Sequence, residues 1–234
     1  MYRFMVLMLF AVVVSSHATA NKLDDIFIIA LKHHLETANE PLVNTPEDEF
    51  RSQIKEYIKK RLLDQGENKE KAEVSSQLTD LYVQMVYNNA KYETANEHDE
   101  IISFAEKLVQ RDEYSDEDIE RLGAESGLVF SQTLVGIYYL EGSNGFQQNV
   151  RKAANWLNKA AQQGSGSASY NIYRVLQQIP EENSASQAYI YALRSLDARI
   201  PPSQGQTEEM KEYITNFEKK HDSEYIERLR RNYK

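Results

Sequence analysis

The stretch from Val129 to Ala168 constrains this chain most, because its glycines and alanines fall where two closely packed helices would need them. In the first half, Ser131, Val135, Gly136 and Tyr139 lie at i, i+4, i+5 and i+8, a single helical stripe. A glycine inside a helix costs about 1 kcal/mol relative to alanine, so Gly136 predicts a partner helix pressed against it. Gly142 and Gly145 mark a loop, and Asn149 is placed to cap a second helix. Ala153, Trp156, Leu157 and Ala160 then return at i, i+3, i+4 and i+7. Gly164 stops that helix in the left-handed region, and the small residues around Trp156 let the two helices approach while the indole fills the space between them.

Val135-Gly136, Tyr139, Gly142, Gly145, Lys152-Ala153, Trp156, Lys159-Ala160-Ala161, Gly164 and Ala168 together resemble the Sel1-like repeat, a relative of the tetratricopeptide repeat. A second, degenerate unit begins at Ala168-Ser169-Tyr170-Asn171-Ile172, and its Ala188, Tyr191 and Arg194 lie 35 residues after Ala153, Trp156 and Lys159. Tyr173 stands in place of its helix glycine, Pro180 with Glu181-Glu182-Asn183 replaces the glycine loop, and Pro201-Pro202 ends it. The resemblance implies a right-handed superhelix, an α-solenoid of stacked hairpins that binds another protein. Such stacks need about three units for stability, so the upstream helices are expected to continue them as divergent hairpins.

All-α is the class the whole chain suggests, since Gly numbers 9 and Pro 5 and no sustained period-two alternation occurs. Arg3, the apolar run Phe4 to Val14 and the small residues up to Ala20 read as a signal peptide over 1–20, cleaved after Ala20. An apolar run of that length is too short to span a bilayer, and no cysteine follows to carry a lipid anchor. Residues 21–123 are expected to hold five helices, over Lys22 to Ala38, Pro46 to Asp64, Lys69 to Ala90, Glu97 to Gln110 and from Ser115 to near Gly123, with Thr45 capping the second and Gly66 ending it. The two repeats occupy 124–200, and 201–234 supplies one amphipathic capping helix, Thr207 to Tyr233. Glu-Thr-Ala-Asn-Glu occurs at Glu36 to Glu40 and again at Glu93 to Glu97, either a decayed duplication or two similar interhelical turns.

Charge and chemistry narrow the function. Without the signal peptide, 26 basic residues face 36 acidic ones, which disfavours nucleic acid and anionic membrane and favours a partner with a basic surface. No cysteine means no thiolate nucleophile or Cys-based metal site, and a cysteine-free exported chain suits the bacterial periplasm. His33 and His34 point about 100° apart on a helix and do not offer the i, i+4 spacing of a shared metal. The acids at Glu97 to Glu100 and Asp116 to Asp118 read as helix starts, and Gly164-Ser165-Gly166 as a repeat junction rather than a phosphate loop. Neither a catalytic residue, a metal nor a cofactor is expected.

A protein partner is expected on the first helices of the hairpins, at the outward positions Thr133, Ile137 and Leu140 of one unit and Tyr170, Arg174 and Gln177 of the next. Exported Sel1-like proteins are similar to immunity proteins that neutralise type VI secretion lipases, so an inhibitor of a secreted toxin or enzyme is the sharper expectation. The alternative is an adaptor or regulator of envelope assembly, signalling or host contact.

Overall fold

A computed structural model describes residues 17–37, 45–90, 98–110 and 115–233. Among these residues every regular element is a helix, and β pairing is limited to one isolated parallel bridge between Ser165 and Ile200. The chain divides into two compact units, residues 1–114 and 115–234.

The first unit holds α1 (His17–Thr37), α2 (Glu47–Asp64), α3 (Lys69–Leu78), α4 (Asp80–Ala90) and α5 (His98–Leu108). Leu23, Ile26, Phe27, Ala30 and Leu31 of α1 are all buried, the face expected from their spacing. They meet Phe50, Ile54, Ile58 and Leu62 of α2 and Ile101, Phe104, Ala105 and Leu108 of α5, while α4 adds Val83 and Val86. The described part of helix α1 runs from His17 to Thr37, against the expected Lys22 to Ala38. Two expectations are corrected. Helix α2 is capped by Pro46 with no side-chain hydrogen bond, so Thr45 does not cap it. The single helix expected over Lys69 to Ala90 is broken at Thr79, whose hydroxyl donates to the Ser76 carbonyl at 2.8 Å while Ser76 does the same to Glu73. Hydroxyls that bond nearby carbonyls compete with the helix ladder. The pentapeptide repeats fall largely outside the described residues.

The second unit holds α6 (Asp116–Glu125), α7 (Val129–Glu141), α8 (Val150–Gln162), α9 (Gly166–Gln177), α10 (Glu182–Leu196), α11 (Gln204–Glu218) and α12 (Ser223–Tyr233). Its helices pack mainly on their sequence neighbours: α6 on α7, α7 on α8, α8 on α9, α9 on α10, and both α11 and α12 on α10. Ser115 opens α6 with a capping box, its hydroxyl accepting from the Asp118 amide while Asp118 accepts from the Ser115 amide. The expected terminal helix Thr207 to Tyr233 is two helices. Asp222 accepts the Tyr225 amide at 2.8 Å and starts α12 afresh, and Arg230 of α12 donates to Glu218 of α11 at 2.5 Å. The hydroxyl of Tyr189 on α10 donates to the same Glu218 oxygen at 2.6 Å, which ties the three helices together. Hydrogen bonds from Tyr189 and Arg230 hold the Glu218 carboxyl below its ordinary range, despite the opposing effect of burial.

Candidate protein-binding surface

The hairpin of α7 and α8 is built on the residues its spacing singled out. Ser131, Val135, Gly136 and Tyr139 are buried on α7, and Ala153, Leu157 and Ala160 are buried on α8. A Cβ on Gly136 would lie 2.7 Å from Leu157 Cγ and 3.1 Å from its backbone nitrogen, so the glycine is what lets the helices touch. Leu157, not the indole, fills that contact; Trp156 is half-buried, packed on the edge of the cluster of Val135, Tyr139, Phe146 and Ala153. Gly142 (φ 71°), Gly145 (φ 88°) and Gly164 (φ 86°) take left-handed backbone at the loop and the helix stop, and the Asn149 side chain accepts the Lys152 amide at 2.9 Å. Ala168 is buried at the start of the next pair.

Of the six outward positions expected to meet a partner, the structure leaves two exposed. Thr133 is buried, its hydroxyl bonded to the Val129 carbonyl at 2.8 Å and to Ser165 Oγ at 2.9 Å. Tyr170 is buried too, and its hydroxyl donates to Glu209 of α11 at 2.6 Å. Ile137 and Leu140 are half-buried, Leu140 against the Tyr139 cluster. Arg174 and Gln177 are exposed, with the Arg174 guanidinium 5.9 Å from the Tyr170 ring centre. The outward reading fails for Thr133 and Tyr170 because α7 is covered by α6, α8 and α9 together, and α9 by α8, α10 and α11. Wedged among three others, α9 keeps exposed positions only near its end, at Arg174 and Gln177.

The second helices carry the exposed surface instead. On α8, Arg151, Lys152, Ala154, Asn155, Asn158, Lys159 and Gln162 all face solvent. Lys159 Nζ sits 4.2 Å from the Trp156 ring centre, Lys152 Nζ 5.1 Å from that of Tyr139, and on α10 the Arg194 guanidinium 5.2 Å from that of Tyr191. Tyr191 reaches back to α8, donating to Asn158 Oδ1 at 2.9 Å. One sequence signal marked this face: from Gly142 to Pro180 there is no acid at all, against four bases, in a chain of net charge −9.

In the first unit a groove of about 440 Å³ lies between α1 and α2, lined by His33, His34, Gln53, Glu56, Tyr57 and Lys60 among others. His33 stacks on Tyr57 at 4.7 Å and His34 meets Phe50 edge-on at 4.9 Å. His34 is buried, and Nε2 makes no hydrogen bond in good geometry. Burial lowers its pKa and outweighs the opposing interaction with Gln53. A His held neutral in the folded state binds fewer protons than the unfolded chain, so its contribution to stability is present above pH 6.5 and is lost as pH falls below that value. Denaturant unfolding of the full chain between pH 7 and 5 is expected to show the first unit weakening on acidification, and His34→Leu is expected to flatten that dependence. An unchanged slope in the variant assigns the acid sensitivity elsewhere.

No group of three or more His, Asp or Glu side chains among the described residues is placed to hold a metal ion, and no helix there is long and apolar enough to cross a membrane. Comparison with known proteins returned no matching family model, no similar curated protein and no similar solved structure.

Proposed function

We propose that this chain is a non-catalytic, periplasmic protein-binding protein built on Sel1-like helical hairpins. In its sharper form it is an inhibitor or immunity protein that neutralises a type VI secretion effector, such as a lipase, by direct binding. The observation that supports this reading is a recurrence along the second helices. Trp156 with Lys159, Tyr191 with Arg194 and Tyr225 with Arg228 pair a ring with a cation, at spacings of 35 and 34 residues. The buried residue next to each ring recurs with them, as Leu157, Ala192 and Ile226. A packing register that repeats at near-constant length is what stacked hairpins require, and stacked hairpins offer a continuous face to a protein partner. The leader ending at Ala20 directs the chain out of the cytoplasm, where such an effector arrives.

Co-expression with a toxin encoded beside this gene, with both directed to the periplasm, is expected to restore growth and to yield a complex that co-purifies. Unhindered toxicity overturns the inhibitor reading. Crosslinking that recovers a resident envelope protein in its place moves the role to an adaptor.

A further inference from the structure

We infer that the exposed cationic face of α8, continued by Arg194 of α10, is a docking surface for an acidic segment of a partner protein. This deepens the protein-binding reading and rests on it. The net charge of the chain hides this face, because acids are concentrated elsewhere. Residues 1–114 carry 13 bases against 20 acids, whereas residues 115–234 carry 14 against 16. Within the latter, α8 holds Arg151, Lys152 and Lys159 and no acid.

What these cations touch matters more than their number. In the first unit five bases are matched to carboxylates: Lys32 to Glu106, Arg51 to Glu47 and Asp80, Lys55 to Asp80, Lys59 to Glu73, and Lys71 to Glu67. On α8 and α10, none of Arg151, Lys152, Lys159 and Arg194 forms an ion pair with a described residue. Lys152, Lys159 and Arg194 rest on the faces of Tyr139, Trp156 and Tyr191 instead. A ring orients a cation without neutralising it, so the charge stays available to an incoming anion and loses less side-chain freedom when one binds. Between them stand Asn155, Asn158 and Gln162, exposed amides able to bond a peptide backbone.

The chemistry of the face selects among anions. Val150 is the one large apolar side chain strongly exposed on α8, so the face offers no apolar wedge for a bilayer. The 16 acids of the same unit oppose the dense phosphates of a nucleic acid. Spaced carboxylates on a protein segment fit both the cations and the amides between them.

Trp156 is the only tryptophan of the chain and lies within this face, so its emission reports on it directly. The full chain is titrated with an oligoglutamate peptide of about twelve residues, following Trp156 fluorescence and peptide anisotropy, with oligolysine as control. Saturable binding is expected for oligoglutamate alone, weakening as salt is raised. Binding is expected to fall about tenfold or more in R151E/K152E/K159E, whose substituted side chains are exposed, and by a smaller factor in K159Q, with circular dichroism unchanged in both. Absent binding at low salt, or binding the charge reversal leaves intact, overturns the inference. So does salt-sensitive self-association through these residues in sedimentation, which makes a second copy the occupant, or capture by phosphatidylglycerol vesicles with no response to the peptide. If the charge-reversed chain still neutralises its toxin, this surface assignment fails while the inhibitor reading stands; if oligoglutamate binds but toxicity is unhindered, the converse holds.

Discussion

Leu157→Ala lowers the stability of the second unit by about 3 kcal/mol, the usual cost of emptying a fully buried leucine site. Gly136→Ala costs less, about 1 to 2 kcal/mol, because the alanine gains helix propensity while its methyl group is driven onto Leu157 Cγ and Cδ2 at 2.7 and 2.8 Å. The two changes are not independent. In the double variant the new methyl group enters the space the leucine branch has left, so the combined loss falls short of the sum by about 1 kcal/mol. Denaturant unfolding of the four proteins measures this coupling. Additivity within about 0.5 kcal/mol means that the two helices do not meet at this pair.

Gly166→Ala is expected to cost about 3 kcal/mol or more, with no such rescue. Its Cβ would lie 2.6 Å from Pro202 Cδ, 2.7 Å from Pro202 N and 2.8 Å from the Ile200 carbonyl oxygen. The first of these belongs to a ring and the others to backbone, so no side-chain rotation relieves them. The glycine itself is also pinned: its amide donates to Ile200 O at 2.8 Å, its carbonyl accepts the Ser195 hydroxyl at 2.6 Å, and Ile200 N donates to Gly164 O at 3.0 Å. A fall in melting temperature of about 10 °C follows for the second unit. Pro202→Ala removes Cδ but neither backbone contact, so the pair G166A/P202A stays near the single variant. Recovery to wild-type stability in that pair assigns the strain to the proline ring alone.

The contrast between these two glycines shows where the sequence is readable. Gly136 sits in a helix whose apolar stripe is local, so a close approach could be inferred from spacing, and the hairpin of α7 and α8 follows from its own caps and glycines. Nothing near Gly166 announces Pro202 as its neighbour across the Ser165–Ile200 bridge. The break between α11 and α12 is a similar case. The segment from Lys219 to Asp222 holds no glycine or proline, so the periodicity runs through it unbroken. Capping by Asp222 and the clamp of Glu218 by Tyr189 and Arg230 decide the turn, and one of those residues, Tyr189, comes from another helix.

The binding surface divides in the same way. Sequence by itself determined the helical class seen in the described residues, the main apolar stripes of α1, α2, α7 and α8, and where the hairpin turns, because these depend on contacts a few residues apart and on backbone conformations that glycine favours. Only the tertiary structure decided which remaining faces are left over. Thr133 and Tyr170 look free on a helical wheel, yet Ser165 and Glu209 occupy them from segments 32 and 39 residues away. The face of α8 that no neighbouring helix covers is fixed by the packing of α7 and α9 against its other sides, a property of the assembled unit that no single helix carries in its own spacing.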